Sequence, residues 1–205
     1  MDGVVIDSEK LHLRALGLTL EQNRIAYPEE IMNDFVGRSD TSFFVYAKEK
    51  LDDRVDIEKY IRQKDSLYLG LLPELQFVNG FTDFIRHIKA MGLQTALVTS
   101  SSHFSVGKAD ERLHFTRFFD VIVAEEDTVK HKPHPDPYLL AFEKTKADKN
   151  STIIIEDSIN GIKAGKAAQC IVCGLATSFG PDVLTGAGAD YAFVNYEEIK
   201  NKFLK

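Results

Sequence analysis

The side chains best suited to chemistry stand at the ends of short apolar runs. Glu156 and Asp157 are adjacent acids that directly follow the run Thr152–Ile155. Paired carboxylates there are costly unless positive charge joins them, and a hard divalent cation bound by oxygens meets that need. A helix N-cap is the competing reading, because Asp157-Ser158 also opens a helical stretch. Thr99, Ser100, Ser101 and Ser102 follow the run Thr95–Val98. Their hydroxyls and backbone N–H groups suit an anion, and equally suit capping of the next helix. After Val121–Ala124 comes Lys130-His131-Lys132-Pro133-His134-Pro135-Asp136. Its prolines stiffen the segment so that one lysine can be aimed at the same rim, and Lys130 and Lys132 compete for that role. His131 and His134 lack metal-helix spacing and read as surface or packing residues. At the start, Asp2-Gly3-Val4-Val5-Ile6-Asp7-Ser8 sets an acid and a permissive glycine before an apolar tripeptide.

Only a scaffold that gathers strand ends could unite these groups. From Pro73 onward, the apolar runs already named, with Ile171–Leu175 and Tyr191–Val194, alternate with helical patterns over Phe81–Met91, Pro137–Lys146 and Ile159–Ala168. That alternation predicts a parallel sheet flanked by helices, with ligands beyond the carboxyl ends of the strands. From about Glu9 to Leu72 the apolar spacing is helical and no strand-like alternation interrupts it. The reading is an α/β core with a helical insertion near its N-terminus.

Composition narrows the function. The 205 residues are 44% hydrophobic and 27% charged, with a net charge of −6. No basic cluster points to nucleic acid or an anionic membrane, and no apolar run reaches a membrane span. The start lacks the basic and apolar pattern of a secretory signal. Cys170 and Cys173 are the two cysteines, both in an apolar stretch, and read as buried small side chains rather than a redox pair. A cytoplasmic setting is expected.

Taken in order, these motifs resemble the haloacid dehalogenase-like superfamily, in its phosphatase and β-phosphoglucomutase-like branch. Asp2-Gly3-Val4 with Asp7-Ser8 is similar to the first motif after its leading Asp. Thr99 closes the second, Lys132-Pro133 with Pro135-Asp136 the third, and Glu156-Asp157-Ser158 with Gly161 the fourth. The resemblance implies a three-layer Rossmann-like parallel sheet core, residues 1–9 and 75–205, with an inserted α-helical cap over 10–74. It also implies a first core strand and a nucleophilic Asp expected immediately before Met1.

The implied activity is magnesium-dependent hydrolysis of a small phosphorylated metabolite, such as a sugar phosphate, through a phosphoaspartate. Asp2 would be the acid/base and give its carbonyl to Mg2+; Glu156 and Asp157 would anchor that ion. Thr99, Ser100 and Lys132 would hold phosphate, with Lys130 set aside. His12, Arg38 and Lys64 are cap candidates for substrate contact. Alternatives are a phosphosugar mutase and a catalytically silent phosphate-binding relative; magnesium-independent dehalogenation fits the Glu-Asp pair less well. The expected assembly is a monomer or weak dimer, with no nucleic-acid or membrane partner.

Overall fold

The computed structural model describes residues 1–35 and 39–204. Two compact units emerge: Met1–Asp7 with Gln76–Lys205, and Ser8–Leu75.

The smaller unit is helical. Helix α1 (Glu9–Gln22) buries Leu11, Ala15, Leu16 and Leu20, a spacing that returns to one face. Helix α2 (Asp40–Lys50) starts where the Ser39 hydroxyl accepts from the Ser42 amide, and α3 (Ile57–Leu71) where the Asp56 carboxylate accepts from the Lys59 amide. Their apolar faces enclose Phe43 and Phe44, both with no exposed area. Phe43 meets Phe35 and Phe44 edge-to-face at 5.0 and 5.3 Å between ring centres.

The larger unit alternates strands and helices as its pattern predicts. Helix α4 (Phe81–Ala90) leads into β1 (Ala96–Val98), α5 (His103–Leu113), β2 (Val121–Val123) and α6 (Asp136–Thr145). Then follow β3 (Ile153–Glu156), α7 (Ile159–Ala167), β4 (Ile171–Leu175), α8 (Pro181–Gly186), β5 (Tyr191–Phe193) and α9 (Tyr196–Phe203). Every ladder is parallel. Strand β1 pairs with β2, with Leu97 opposite Ile122; β3 pairs with β4, and β4 with β5, with Ile154 opposite Val172 and Gly174 opposite Ala192. Among the described residues these ladders form two sheets, β1-β2 and β3-β4-β5, rather than one.

Ile162, Val172 and Leu184 are fully buried at the heart of the α7, β4 and α8 packing, and Cys170 and Cys173 are buried and free. The N-terminal segment folds back on itself: the amides of Val4 and Val5 donate to the Met1 carbonyl, and the Val78 amide donates to Val5. Among the described residues no helix is long and apolar enough to cross a membrane. Truncating Phe44 to Ala removes a fully buried ring from the helical unit and should cost about 3–5 kcal/mol in urea unfolding. A loss under about 1 kcal/mol would show that the ring is not packed as described.

Candidate active site

Lys132 ties the carboxyl ends of β1 and β3, strands of different sheets. Its ammonium donates to the Val98 carbonyl at 3.0 Å and to Glu156 Oε1 at 2.5 Å. Both side chains are 8% exposed. Lys130 is exposed, so of the two competing lysines the stiff loop delivers Lys132. The Tyr138 hydroxyl of α6 donates to the same Glu156 oxygen at 2.6 Å, and its ring lies 4.9 Å from the Lys132 nitrogen. Burial alone would raise the Glu156 carboxyl. Lys132 and the two hydrogen bonds outweigh burial and hold it below the ordinary carboxylate range. The same burial, with Glu156 beside it, drives the Tyr138 hydroxyl far above its usual value.

Asp157 has no lysine or arginine beside it; the positive group near it is the Met1 nitrogen. Burial first, and the neighbouring Glu156 charge second, push its carboxyl up to about 7, opposed by the Ser178 hydroxyl that donates to Oδ2 at 2.5 Å. Ser158 takes the capping duty: its hydroxyl accepts from the Gly161 amide at 3.0 Å. Asp157 is therefore free of the N-cap role that the sequence left open. Two glycines make the crowding possible. A Cβ on Gly3, whose φ is +64°, would lie 1.9 Å from Asp157 Oδ2. A Cβ on Gly161 would lie 2.0 Å from the Glu156 carboxyl carbon. Only a bare backbone fits at either place.

Asp2 joins from the N-terminal segment, where Ser101 donates to its Oδ2 at 2.8 Å. The buried Met1 nitrogen lies within electrostatic reach of Asp2, Lys132, Glu156 and Asp157, and burial lowers its proton affinity. Thr99 is buried; its hydroxyl accepts from the Ser101 amide at 3.0 Å, which leaves its own proton to donate. Ser100 is exposed beside it, and Ser102 caps α5 by accepting from the Ser105 amide. Asp2, Lys132, Glu156 and Asp157 thus share one electrostatic centre, with Thr99 at the end of β1. Among the described residues no group of three or more His, Cys, Asp or Glu side chains is gathered as a ready-made metal cage. The Asp2 carboxylate is turned to Ser101 instead.

The residues missed by sequence reading are Ser178, Tyr138 and the specific role of Ser101. Each acts across at least 18 positions of chain, so spacing carries no sign of it.

In the helical unit, Lys64 is 3% exposed along its side chain and donates to His12 Nδ1 and Asp40 Oδ2, each at 2.8 Å. Since an ammonium only donates, Nδ1 accepts and the ring proton of a neutral His12 sits on Nε2. The Tyr68 ring stacks on His12 at 4.0 Å between centres. Asp40 is the partner the sequence did not single out. Arg38 lies outside the described residues.

The burial of Asp157 gives a stability signature. Its folded carboxyl titrates near 7 and an unfolded Asp near 3.9, so the native state holds a proton that the unfolded state releases between those values. Stability from this group therefore falls as pH rises through about 4 to 7. In cation-free buffer, Asp157→Asn should melt above the parent chain at pH 8, and the difference should shrink towards pH 5. Equal melting at pH 8 would mean that the carboxylate is not strained.

Residues 1–175 match the family model of haloacid dehalogenase-like hydrolases. The chain is 28% identical over 204 residues to a phosphorylated carbohydrates phosphatase of Thermotoga maritima, covering 98% of this chain and 94% of that one. Its fold superposes with a TM-score of 0.85, at 26% identity, on a Thermotoga maritima protein provisionally named a beta-phosphoglucomutase, over 98% of this chain and 94% of the other. A hydrolase of the same family from Deinococcus radiodurans, solved with bound phosphate and sodium, shares the fold with a TM-score of 0.83 at 21% identity, over 98% and 91% of the two chains. The chain belongs to the haloacid dehalogenase-like hydrolases and is an enzyme of the phosphatase or hydrolase type.

Proposed function

We propose that the protein is a magnesium-dependent phosphatase of small phosphorylated carbohydrates. One observation carries the reading: a buried carboxyl group with no side-chain cation of its own, Asp157, stands beside the Lys132–Glu156 pair where β1 and β3 end. An oxygen-rich, negatively charged, water-poor corner suits a hard divalent ion, so the residues present fit Mg2+. Asp157 would hold it, with the Asp2 carbonyl, and Glu156 directly or through water. Bound there, the ion supplies neutralisation of charge at the phosphoryl oxygens.

The remaining work falls to the chain's own groups. Thr99 and the Ser100 amide receive the phosphoryl oxygens, and Lys132 offsets their charge in a site where screening is weak. The attacking carboxylate belongs to an aspartate joined to the Met1 nitrogen, a place surrounded by Lys132, Glu156 and Asp157. Asp2, steered by Ser101, gives its proton to the departing sugar oxygen and then takes one from the water that frees the enzyme. The carbohydrate substrate class follows the phosphatase relative that matches nearly the whole chain.

The test is a panel of phosphate esters, with magnesium and with chelator, on two chains. One is the 205-residue chain. The other carries several apolar residues and an Asp before Met1. Release of inorganic phosphate by the extended chain, abolished by chelator, is expected. Lys132→Ala in that chain should lower kcat by about 10²–10³-fold. Asp2→Asn should lower it by about 10²–10⁴-fold. No turnover by the extended chain sinks the reading, and an isomeric sugar phosphate as the product assigns a mutase instead.

A further inference from the structure

The loop that leaves β4 carries two consecutive hydroxyls that reach different parts of the site. The Thr177 hydroxyl donates to the Gly3 carbonyl at 2.6 Å, and the Ser178 hydroxyl donates to Asp157 Oδ2 at 2.5 Å. The loop is itself held. The Ala176 amide donates to the Phe193 carbonyl of β5, and the Thr177 amide folds back to the Leu175 carbonyl, each at 2.8 Å. In the same N-terminal turn as Gly3, the Val4 carbonyl accepts from the Tyr196 hydroxyl at the start of α9. The Asp2-Gly3-Val4 turn and the Asp157 carboxyl are therefore fastened to one frame of β4, β5 and α9.

We infer, resting on the reading of this corner as a divalent-cation site, that Ser178 determines which cation it takes: by holding Oδ2 it leaves Asp157 one oxygen to offer, and so selects magnesium over calcium. The crowding of a single oxygen carries this. A serine hydroxyl has one proton, and here it goes to Oδ2. Gly3 presses on the same oxygen: a Cβ placed on Gly3 would lie 1.9 Å from Oδ2 and 3.0 Å from the Ser178 hydroxyl oxygen. With a hydroxyl and a bare backbone both packed against Oδ2, Oδ1 is the oxygen that remains for a ligand.

The two cations ask different things of a carboxylate. Magnesium demands close to octahedral geometry at about 2.0–2.1 Å, which the narrow bite of a two-oxygen carboxylate distorts. Calcium takes about six to eight oxygens at about 2.3–2.6 Å, and accepts both oxygens of one carboxylate. A carboxylate pinned at Oδ2 suits the first ion and disfavours the second. A two-oxygen grip would have to break the Ser178 hydrogen bond and part Asp157 from Gly3. Thr177 is the positioning residue behind this. It anchors the loop to the Gly3 carbonyl, so Ser178 does not swing away with the carboxylate.

The experiment measures Mg2+ and Ca2+ binding by calorimetry, in chelator-treated buffer at pH 8, for the 205-residue chain, Ser178→Ala and Ser178→Thr. In Ser178→Ala the ratio of the two dissociation constants should move towards calcium by at least about tenfold, because selectivity between these ions follows ligand number and rigidity. Ser178→Thr, which keeps a hydroxyl, should restore the parent ratio. Melting without cation is read on the same samples. A hydroxyl that only stabilises the fold would lower melting in Ser178→Ala and leave the ratio where it was. An unchanged ratio, or the same shift in Ser178→Thr as in Ser178→Ala, overturns the inference and leaves the magnesium reading standing. Binding of neither ion by the parent chain in the millimolar range overturns the inference and the cation reading together. Phosphate release is scored separately: a shifted ratio with no ester hydrolysed keeps the role of Ser178 and sinks the phosphatase.

Discussion

The Lys132–Glu156 ion pair is the constraint on which the larger unit turns. Its two side chains are nearly out of solvent and 2.5 Å apart, and the ammonium also holds the last carbonyl of β1. One cation thus ties the ends of two strands that belong to different sheets. Removing either charge would leave the other buried and unpaired, a loss of about 3–5 kcal/mol for such pairs. The Tyr138 hydroxyl completes the arrangement by donating to the same carboxylate oxygen. Because Glu156 takes up the lysine's charge, Asp157 is left as a buried carboxyl with the Ser178 hydroxyl and the Met1 nitrogen as its favourable neighbours. That imbalance destabilises the fold where β1 and β3 end.

Backbone without side chains makes this geometry reachable. Gly3 and Gly161 let a tight turn and a helix start press against the Asp157 and Glu156 carboxyls at distances no Cβ could accept. Ser158 caps α7, so the acids need not. The helical unit has its own buried charge: Lys64 sits between His12 and Asp40. An ammonium so enclosed is held in place by its partners, and it fixes the His12 tautomer as it does so.

Among the described residues the strands of the larger unit form two sheets rather than one. Two sets of strands face each other across apolar side chains, and the N-terminal nitrogen sits where both sets end. Short strands of three to five residues, exposed at the first residue and buried or half-buried after it, read as apolar runs without alternation, which is why their positions were legible. Their division into two sheets was not, because pairing joins residues far apart in sequence.

The sequence by itself determined the kinds of elements, their order, and the motif residues that end the strands. Thr99, Glu156 and Asp157 are conspicuous because polar groups directly after apolar runs must have a reason to be there, while Asp2 and Lys132 stand out through the motif resemblance. It left open which lysine reaches the rim and whether Asp157 caps a helix. Tertiary structure decided both, through the burial of Lys132 and the hydroxyl of Ser158. It also supplied Ser101, Ser178, Tyr138 and Asp40, whose partners lie 18 to 99 positions away. A residue's type is written in the chain, but its charge environment is set by what folding brings beside it and by how much water folding removes.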